Sequence, residues 1–243
     1  ASGATYFAVV TKDAALDPKK LVLSDDKVEI FDADDGIVKN ASAFSPRETF
    51  RLETLPDKAK FAFVDTEDKR FYDHGGFDYK RMVKATLKNV RTRSFKEGAS
   101  TISQQLIKNT HLSQEKTIER KLKEVKLTYQ LEKKYSKDEI LEKYLNTIYF
   151  GHSCFGLQSA AEFYFGKTPQ ELDLADAAIL AGLIKSPNNY SPFKHPENCI
   201  QRKKIVLSAM LAQGHITEEE KAAAVAKPLP LGPSASSLDK SYF

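Results

Sequence analysis

The sequence predicts a mainly α-helical protein with one short β-hairpin ahead of the helices. Three observations carry that expectation. From Pro56 onward, apolar residues recur at three- and four-residue spacing in one segment after another. Helix-opening sequences stand before those segments, Ser136-Lys137-Asp138-Glu139 and Thr217-Glu218-Glu219-Glu220 among them. Strand-like alternation of apolar and polar residues is confined to residues 21–39.

The hairpin joins Val28-Glu29-Ile30-Phe31 to Ile37-Val38-Lys39 through Asp34-Asp35-Gly36, a turn sequence that tolerates left-handed backbone. Pro56 suits the first position of a helix through Phe61, Phe63 and Val64. Asp78 is placed to cap a helix bearing Met82, Val83, Leu87 and Val90, and Ser100 precedes another with Ile102, Leu106 and Ile107. Between them Arg91 to Gly98 reads as a basic linker, expected to be mobile. Ile118, Leu122, Val125 and Tyr129 fall at i, i+4, i+7 and i+11, the apolar stripe expected to bury one side of a long helix, with Arg120 and Glu124 on a neighbouring face.

Ser136 opens a helix through Ile140, Leu141, Tyr144, Leu145 and Ile148, which Gly151 closes. Asp173 starts Leu174 to Ile184, apolar nearly all round and therefore expected inside the core, and Ser186-Pro187 stops it. A proline-bearing loop from Pro187 to Pro196 leads to a helix ending at Gly214, and Thr217 caps one more. From Lys227 the chain turns rich in proline, glycine and serine, as a linker does. The expected division is a β-containing lead-in over 1–55, a main domain over 56–226 and a linker over 227–243.

With 243 residues, 41% of them hydrophobic, the chain can bury a substantial core. Cys154 and Cys199 are too few for a disulfide framework and lack metal-type spacing, so they read as packing residues, a disulfide between them in an oxidising compartment being the alternative. No run approaches the ~18 apolar residues needed to span a bilayer, and Ala1-Ser2-Gly3 lacks a signal-peptide pattern, so a membrane anchor is expected outside this stretch. The net charge of +4 is uneven: −5 over residues 1–68, +9 over 69–143 and zero over 144–243. A basic middle third suits an anionic partner such as phosphate, nucleic acid or anionic lipid, or else a set of solvated helix faces.

Three segments could carry chemistry. Glu67-Asp68-Lys69-Arg70-Phe71-Tyr72-Asp73-His74-Gly75-Gly76 ends a helix in carboxylates and runs into an aromatic turn with a histidine, a set suited to acid–base work or to an ordinary helix end. Gly98-Ala99-Ser100-Thr101-Ile102-Ser103-Gln104-Gln105-Leu106-Ile107-Lys108-Asn109 brings small residues to a helix start, where exposed N–H groups and Lys108 would bind phosphate; a capped, solvated helix is the rival. Arg120-Lys121-Leu122-Lys123-Glu124 surrounds one carboxylate with three cations, although Arg120 and Glu124 at i and i+4 also fit a surface ion pair worth under ~1 kcal/mol.

In this order the three segments resemble the first three signature motifs of the family 51 glycosyltransferases, the polymerase domains of class A penicillin-binding proteins and the monofunctional peptidoglycan transglycosylases. The resemblance continues through Ile140-Leu141-Glu142-Lys143-Tyr144-Leu145-Asn146-Thr147-Ile148-Tyr149-Phe150-Gly151 and Ala177-Ala178-Ile179-Leu180-Ala181-Gly182-Leu183-Ile184-Lys185-Ser186-Pro187, followed by Tyr190-Ser191-Pro192. It covers about residues 61 to 215, with Ala99 a conservative departure where the family often has glycine.

The resemblance implies a lysozyme-like head with a smaller membrane-facing jaw. It also implies polymerisation of lipid II into β-1,4 glycan strands, with inversion at the donor carbon and release of undecaprenyl pyrophosphate. Glu67 would be the general base toward the acceptor hydroxyl, flanked by Asp65 and Asp68, and Glu124 would assist the leaving group. Lys108, Arg120 and Lys121 match the pyrophosphate-binding set; Thr101, Gln105 and Asn109, with Ser100 and Gln104, match the donor-site helix. Phe71 and His74 match positions shaping the cleft, His74 serving equally well as a structural hydrogen-bonding group.

No essential cofactor is implied, although a divalent cation (Mg or Mn) at the pyrophosphate fits the family, with ligands unknown. The implied partners are lipid II, the growing lipid-linked strand and the membrane surface, with Tyr79 to Phe95 as the interfacial helix or else an ordinary amphipathic helix. The location is the extracytoplasmic face of the bacterial plasma membrane, behind an N-terminal anchor, and the linker leaves room for a C-terminal transpeptidase domain. Two rivals remain: a lysozyme-like lytic enzyme, which has no pyrophosphate for the cations to hold, and a membrane-surface or nucleic-acid binding module. The chain has no tryptophan and no nucleic-acid motif, which argues against nucleic acid as a partner.

Overall fold

The computed structural model describes residues 3–22, 30–31, 37–38, 49–92, 100–113, 115 and 117–234. Among them are ten α-helices: α1 (Gly3–Thr11), α2 (Asp57–Glu67), α3 (Tyr79–Thr92), α4 (Ile102–His111), α5 (Ile118–Lys134), α6 (Lys137–Thr147), α7 (Leu157–Phe165), α8 (Leu174–Leu183), α9 (Pro196–Ala212) and α10 (Glu218–Ala226). The mainly α expectation holds. The hairpin is present as β1 (Ile30–Phe31) and β2 (Ile37–Val38), antiparallel, with Ile30 opposite Val38 and Phe31 opposite Ile37. Its turn, and the basic linker apart from Arg91 and Thr92, lie outside the described residues.

The chain divides into two compact units, Ala1–Leu21 with Arg70–Tyr144 and Val22–Lys69 with Leu145–Phe243. In the first, α5 packs against α4 and α1. The helix starts follow the sequence closely here: the Asp78 side chain accepts from Arg81 N–H at 2.7 Å, and Ser136 and Glu139 exchange bonds in a capping box. On α4 the cap is Thr101, not the preceding Ser100, which is half-buried.

The buried side of α5 is not the one the apolar stripe predicts. Ile118 and Tyr129 are 75% and 53% exposed, while Glu124, Leu127, Thr128 and Leu131 face inward. The inward face has the same i, i+4, i+7, i+11 spacing, beginning at half-buried Arg120, and it carries an ion pair into the interior where an apolar pair was expected.

The second unit is built on α2, α8 and α9, each packed against the other two, with α10 against α9. Pro56 stands at the N-cap of α2, one position before the place expected for it. Every residue of α8 from Ala175 to Leu183 is buried, as its composition requires, and Asp173 caps it by accepting from Asp176 N–H at 3.0 Å. Asn146 clamps the approach to α2: its Nδ2 donates to Phe50 O at 3.0 Å and its Oδ1 accepts from Phe50 N–H at 3.1 Å.

The end of α10 is held electrostatically, because Lys227 pairs with Asp173 and Asp176, and buried Lys203 donates to the Lys227 carbonyl at 2.8 Å. Ser234 N–H then reaches Phe163 O at 2.9 Å. Cys154 and Cys199 are free and buried, and burial pushes their thiols up to about 12 and about 11, consistent with inert packing residues. No described helix is long and apolar enough to cross a membrane.

Candidate active site

In the first unit the residues converge on Glu124. Thr117 caps α5 by accepting from Arg120 N–H at 3.1 Å, which sets the register that brings Arg120, Lys121 and Glu124 onto adjoining positions of the first two turns. Across from them, Gln104 Nε2 of α4 donates to Glu124 Oε1 at 3.1 Å. Lys121 Nζ donates to the same oxygen, and Arg120 Nη1 lies 3.5 Å from Oε2. Glu124 is only 2% exposed, so this is an interior ion cluster and not a pair in open solvent. A carboxylate removed from water needs that many donors to remain charged.

Arg120 has more donor capacity than Glu124 uses. Its Nε and Nη1 are buried and make no hydrogen bond. A guanidinium presents five donors in a fixed fork, and leaving buried donors without acceptors is costly. The fork therefore has donor capacity that Glu124 does not use.

Helix α4 arranges the donor-site residues in a gradient of exposure. Thr101 and Gln104 are buried, Gln105 is half-buried and accepts from Tyr144 OH at 3.0 Å, and Lys108 and Asn109 are exposed. The start of this helix is capped, as in the capped-helix alternative, with two of its N–H groups already paired. Thr101 Oγ1 accepts from Gln104 N–H at 3.2 Å, Gln104 Oε1 accepts from Thr101 N–H at 3.1 Å, and the turn is buried. Such a capping box takes up two of the donors at the helix start, the Thr101 and Gln104 N–H groups.

The same threonine donates to Gly76 O at 2.7 Å. Gly76 has φ +91°, and a Cβ there would stand 2.9 Å from Glu132 Cγ, so the glycine is required by both conformation and space. His74 Nδ1 accepts from Gly76 N–H at 3.2 Å and its ring meets Phe71 edge-on at 6.3 Å, which gives the histidine a structural bond in this turn. Phe71 is fully buried beneath Lys137, whose ammonium lies 4.5 Å from the ring centroid. Arg70 holds Asp78 through Nε at 3.1 Å and through Nη2. Burial pushes the Asp78 carboxyl up, but the bonds from Arg70 and Arg81 outweigh it and leave it below the usual carboxylate range.

In the second unit Glu67 ends α2, and its side chain keeps 12% of its surface. Asp68, which follows it, is 1% exposed, and its N–H closes the helix onto Val64 O at 2.8 Å. Asp65 is committed elsewhere: it accepts from His215 Nδ1 at 2.7 Å, and the imidazole stacks on Phe61 at 3.7 Å between centroids. Burial raises the Asp65 carboxyl above its usual range, and His215 only partly opposes this.

Arg202 Nη2 stands 4.0 Å from Glu67 Oε1. Neither Arg202 nor His215 was marked by sequence reasoning. Arg202 sits in Gln201-Arg202-Lys203-Lys204, a stretch indistinguishable from a solvated helix face, yet both Arg202 and Lys203 are buried.

The sequence matches the transglycosylase family over residues 35–211. Penicillin-binding protein 1A of Aquifex aeolicus is 41% identical over 215 residues, 88% of this chain and 30% of that protein. Penicillin-binding protein 1A/1B of Bacillus subtilis is 43% identical over 220 residues, 90% of this chain and 24% of that one. Penicillin-binding protein 1A of Streptococcus oralis is 36% identical over 243 residues, 99% of this chain and 38% of that one. This chain therefore spans well under half the length of these relatives. It belongs to the transglycosylase family, which matches most of its length and which it shares with these penicillin-binding relatives. Its predominantly helical structure agrees with the mainly α fold class expected from the sequence.

Proposed function

We propose that this domain transfers the lipid-pyrophosphate-linked glycan strand to the 4-hydroxyl of lipid II, with inversion at the donor carbon. Glu67 takes the proton of the acceptor hydroxyl as its oxygen bonds to the anomeric carbon. The bond from that carbon to the pyrophosphate oxygen breaks on the opposite face, and undecaprenyl pyrophosphate leaves with the electron pair. Arg120, Lys121 and Lys108 meet the charge on that leaving group, where charge-assisted contacts contribute most. Glu124 holds the Arg120 and Lys121 side chains in position, and Gln104 orients it.

The observation that carries this reading is the buried Arg120 fork with donors to spare. A hydrolase cutting finished strands has no anionic leaving group for that fork.

A divalent cation does not suit the Glu124 cluster, whose carboxylate oxygens already receive an amide, an ammonium and a guanidinium. Among the described residues no three histidine, cysteine, aspartate or glutamate side chains gather as metal ligands. The neutralising role is assigned to the protein's own cations, and no step passes through a metal.

Tyr79, Met82 and Val83 on α3 are exposed beside Lys80 and Lys84, a combination suited to an interfacial helix on an anionic membrane surface. The domain then works at the extracytoplasmic face of the plasma membrane on lipid II and the growing strand. The greater length of its relatives leaves room for an N-terminal anchor and a C-terminal transpeptidase domain.

Labelled lipid II in detergent, incubated with the parent chain and with Glu67→Gln and resolved by product length, tests the reading. Long strands from the parent and none from the variant are expected. A folded parent that binds lipid II without extending it would refute glycosyl transfer by this domain, and shortened fragments of pre-formed peptidoglycan would show a lytic enzyme.

A further inference from the structure

Arg202 is 8% exposed, deep in the second unit, and its place is fixed by packing. It projects from α9 across Gly182 of α8. A Cβ at Gly182 would lie 2.9 Å from Arg202 Cγ, so only a residue without a side chain lets the arginine stem pass. The guanidinium carbon then lies 5.8 Å from the Tyr190 ring centroid, within the range of a cation–π contact. Its Nε is buried and makes no hydrogen bond, so no polar network of its own holds the group. The carboxylate paired with it is that of Glu67, at 4.0 Å.

From this geometry we infer that Arg202 is a positioning residue for Glu67, helping to hold the carboxylate in its reactive orientation between α2 and α9; the inference rests on Glu67 as the general base. A charge-assisted hydrogen bond closes to about 2.8 Å and takes an oxygen lone pair for itself. At 4.0 Å the guanidinium attracts the carboxylate without itself closing a hydrogen bond to it. Gly182 and Tyr190 take part only by fixing where Arg202 stands.

Three variants test this by steady-state polymerisation of labelled lipid II, with helical content followed by circular dichroism. Arg202→Met should lower kcat on the order of 100-fold while KM stays within about twofold, because an aligned base is lost and substrate contacts are not. Arg202→Lys keeps the charge on a differently shaped group and should restore part of kcat, to within roughly tenfold of the parent. Gly182→Ala keeps every charge and displaces the arginine stem; it should lower kcat about tenfold, again at constant KM. It carries the test should Arg202→Met fail to fold.

A raised KM at unchanged kcat in these variants would make Arg202 a substrate contact and overturn the inference, as would a parental kcat in folded Arg202→Met or, should that variant not fold, in Gly182→Ala. Glu67→Gln run in parallel separates the two claims. If it polymerises at the parental rate, the base assignment falls first; if it is inactive while Arg202→Met is normal, only the positioning role falls.

Discussion

The two units of this chain differ in charge and in what they bury. Ala1–Leu21 with Arg70–Tyr144 carries a net +9, and the remainder of the chain carries −5. The basic unit encloses Thr101, Ser103, Gln104, Glu124 and Thr128, whereas the acidic unit centres on α8, where Ala177 to Leu183 are uniformly small or aliphatic. The first interior gathers its polar groups around Glu124 and Arg120, whereas the second sets Asp65, Asp68, Asp176, Arg202 and Lys203 around the apolar α8, with Glu67 at the end of α2. The contrast suggests that anion handling belongs to the basic unit and proton transfer to the acidic one.

The sharpest way to break that division is at its two ends. Glu67→Gln should lower polymerisation by about 10²- to 10⁴-fold, the usual worth of a general base, with thermal stability little changed. A small loss in a product-length assay would move the proton transfer elsewhere. Arg120→Ala should lower kcat/KM by roughly 100-fold, as expected for removing a donor to a developing anion, and the loss should deepen as salt screens the remaining lysines. A salt-insensitive residual rate would contradict the anion role.

Two capping threonines sharpen the comparison, since each closes a capping box in its own unit. Thr101→Ala loses the cap, the bond to Gly76 O and the support of Gln104 beneath Glu124, so it should cost about 2–3 kcal/mol in urea denaturation and also reduce activity. Thr217→Ala loses only a surface cap and should cost about 1 kcal/mol with activity intact. Equal costs would show that the polar interior adds nothing to the basic unit.

A smaller effect concerns Asp78, whose folded carboxyl lies below its usual range. Its contribution is present above the unfolded value near 3.9 and fades as pH falls through the lower folded value. Asp78→Asn should therefore cost about 1–2 kcal/mol near neutral pH, and its denaturation midpoint should converge on that of the parent as pH falls through the lowered folded value.

Much of the fold was legible because local chemistry and burial agree there. Asp78, Ser136, Asp173 and Thr217 cap as their sequences imply, and α8 is buried as an all-apolar helix must be. The misreadings come from a common assumption, that charge faces outward. On α5 it placed Ile118 inside and Glu124 near the surface, when the reverse holds. It also left Arg202 unmarked, because a basic stretch on a helix carries no local sign that Gly182 opens a path for one of its side chains. Helices α1 and α7 were not anticipated: the first is a short apolar run merging into the lead-in, the second a short mixture of small and aromatic residues with no side-chain N-cap, closed by left-handed Gly166. In the candidate site, the residues of α4 and α5 were legible as types in order, but not the capping box that pairs the Thr101 and Gln104 N–H groups at the α4 start.

The division of labour is tested most directly by titrating a lipid pyrophosphate, without acceptor, against the parent chain, Arg120→Ala and Glu67→Gln by calorimetry. The account predicts that Arg120→Ala weakens binding by at least about tenfold, the loss of one charge-assisted contact, while Glu67→Gln binds as the parent does. Equal weakening by both variants, or none by Arg120→Ala, would contradict it.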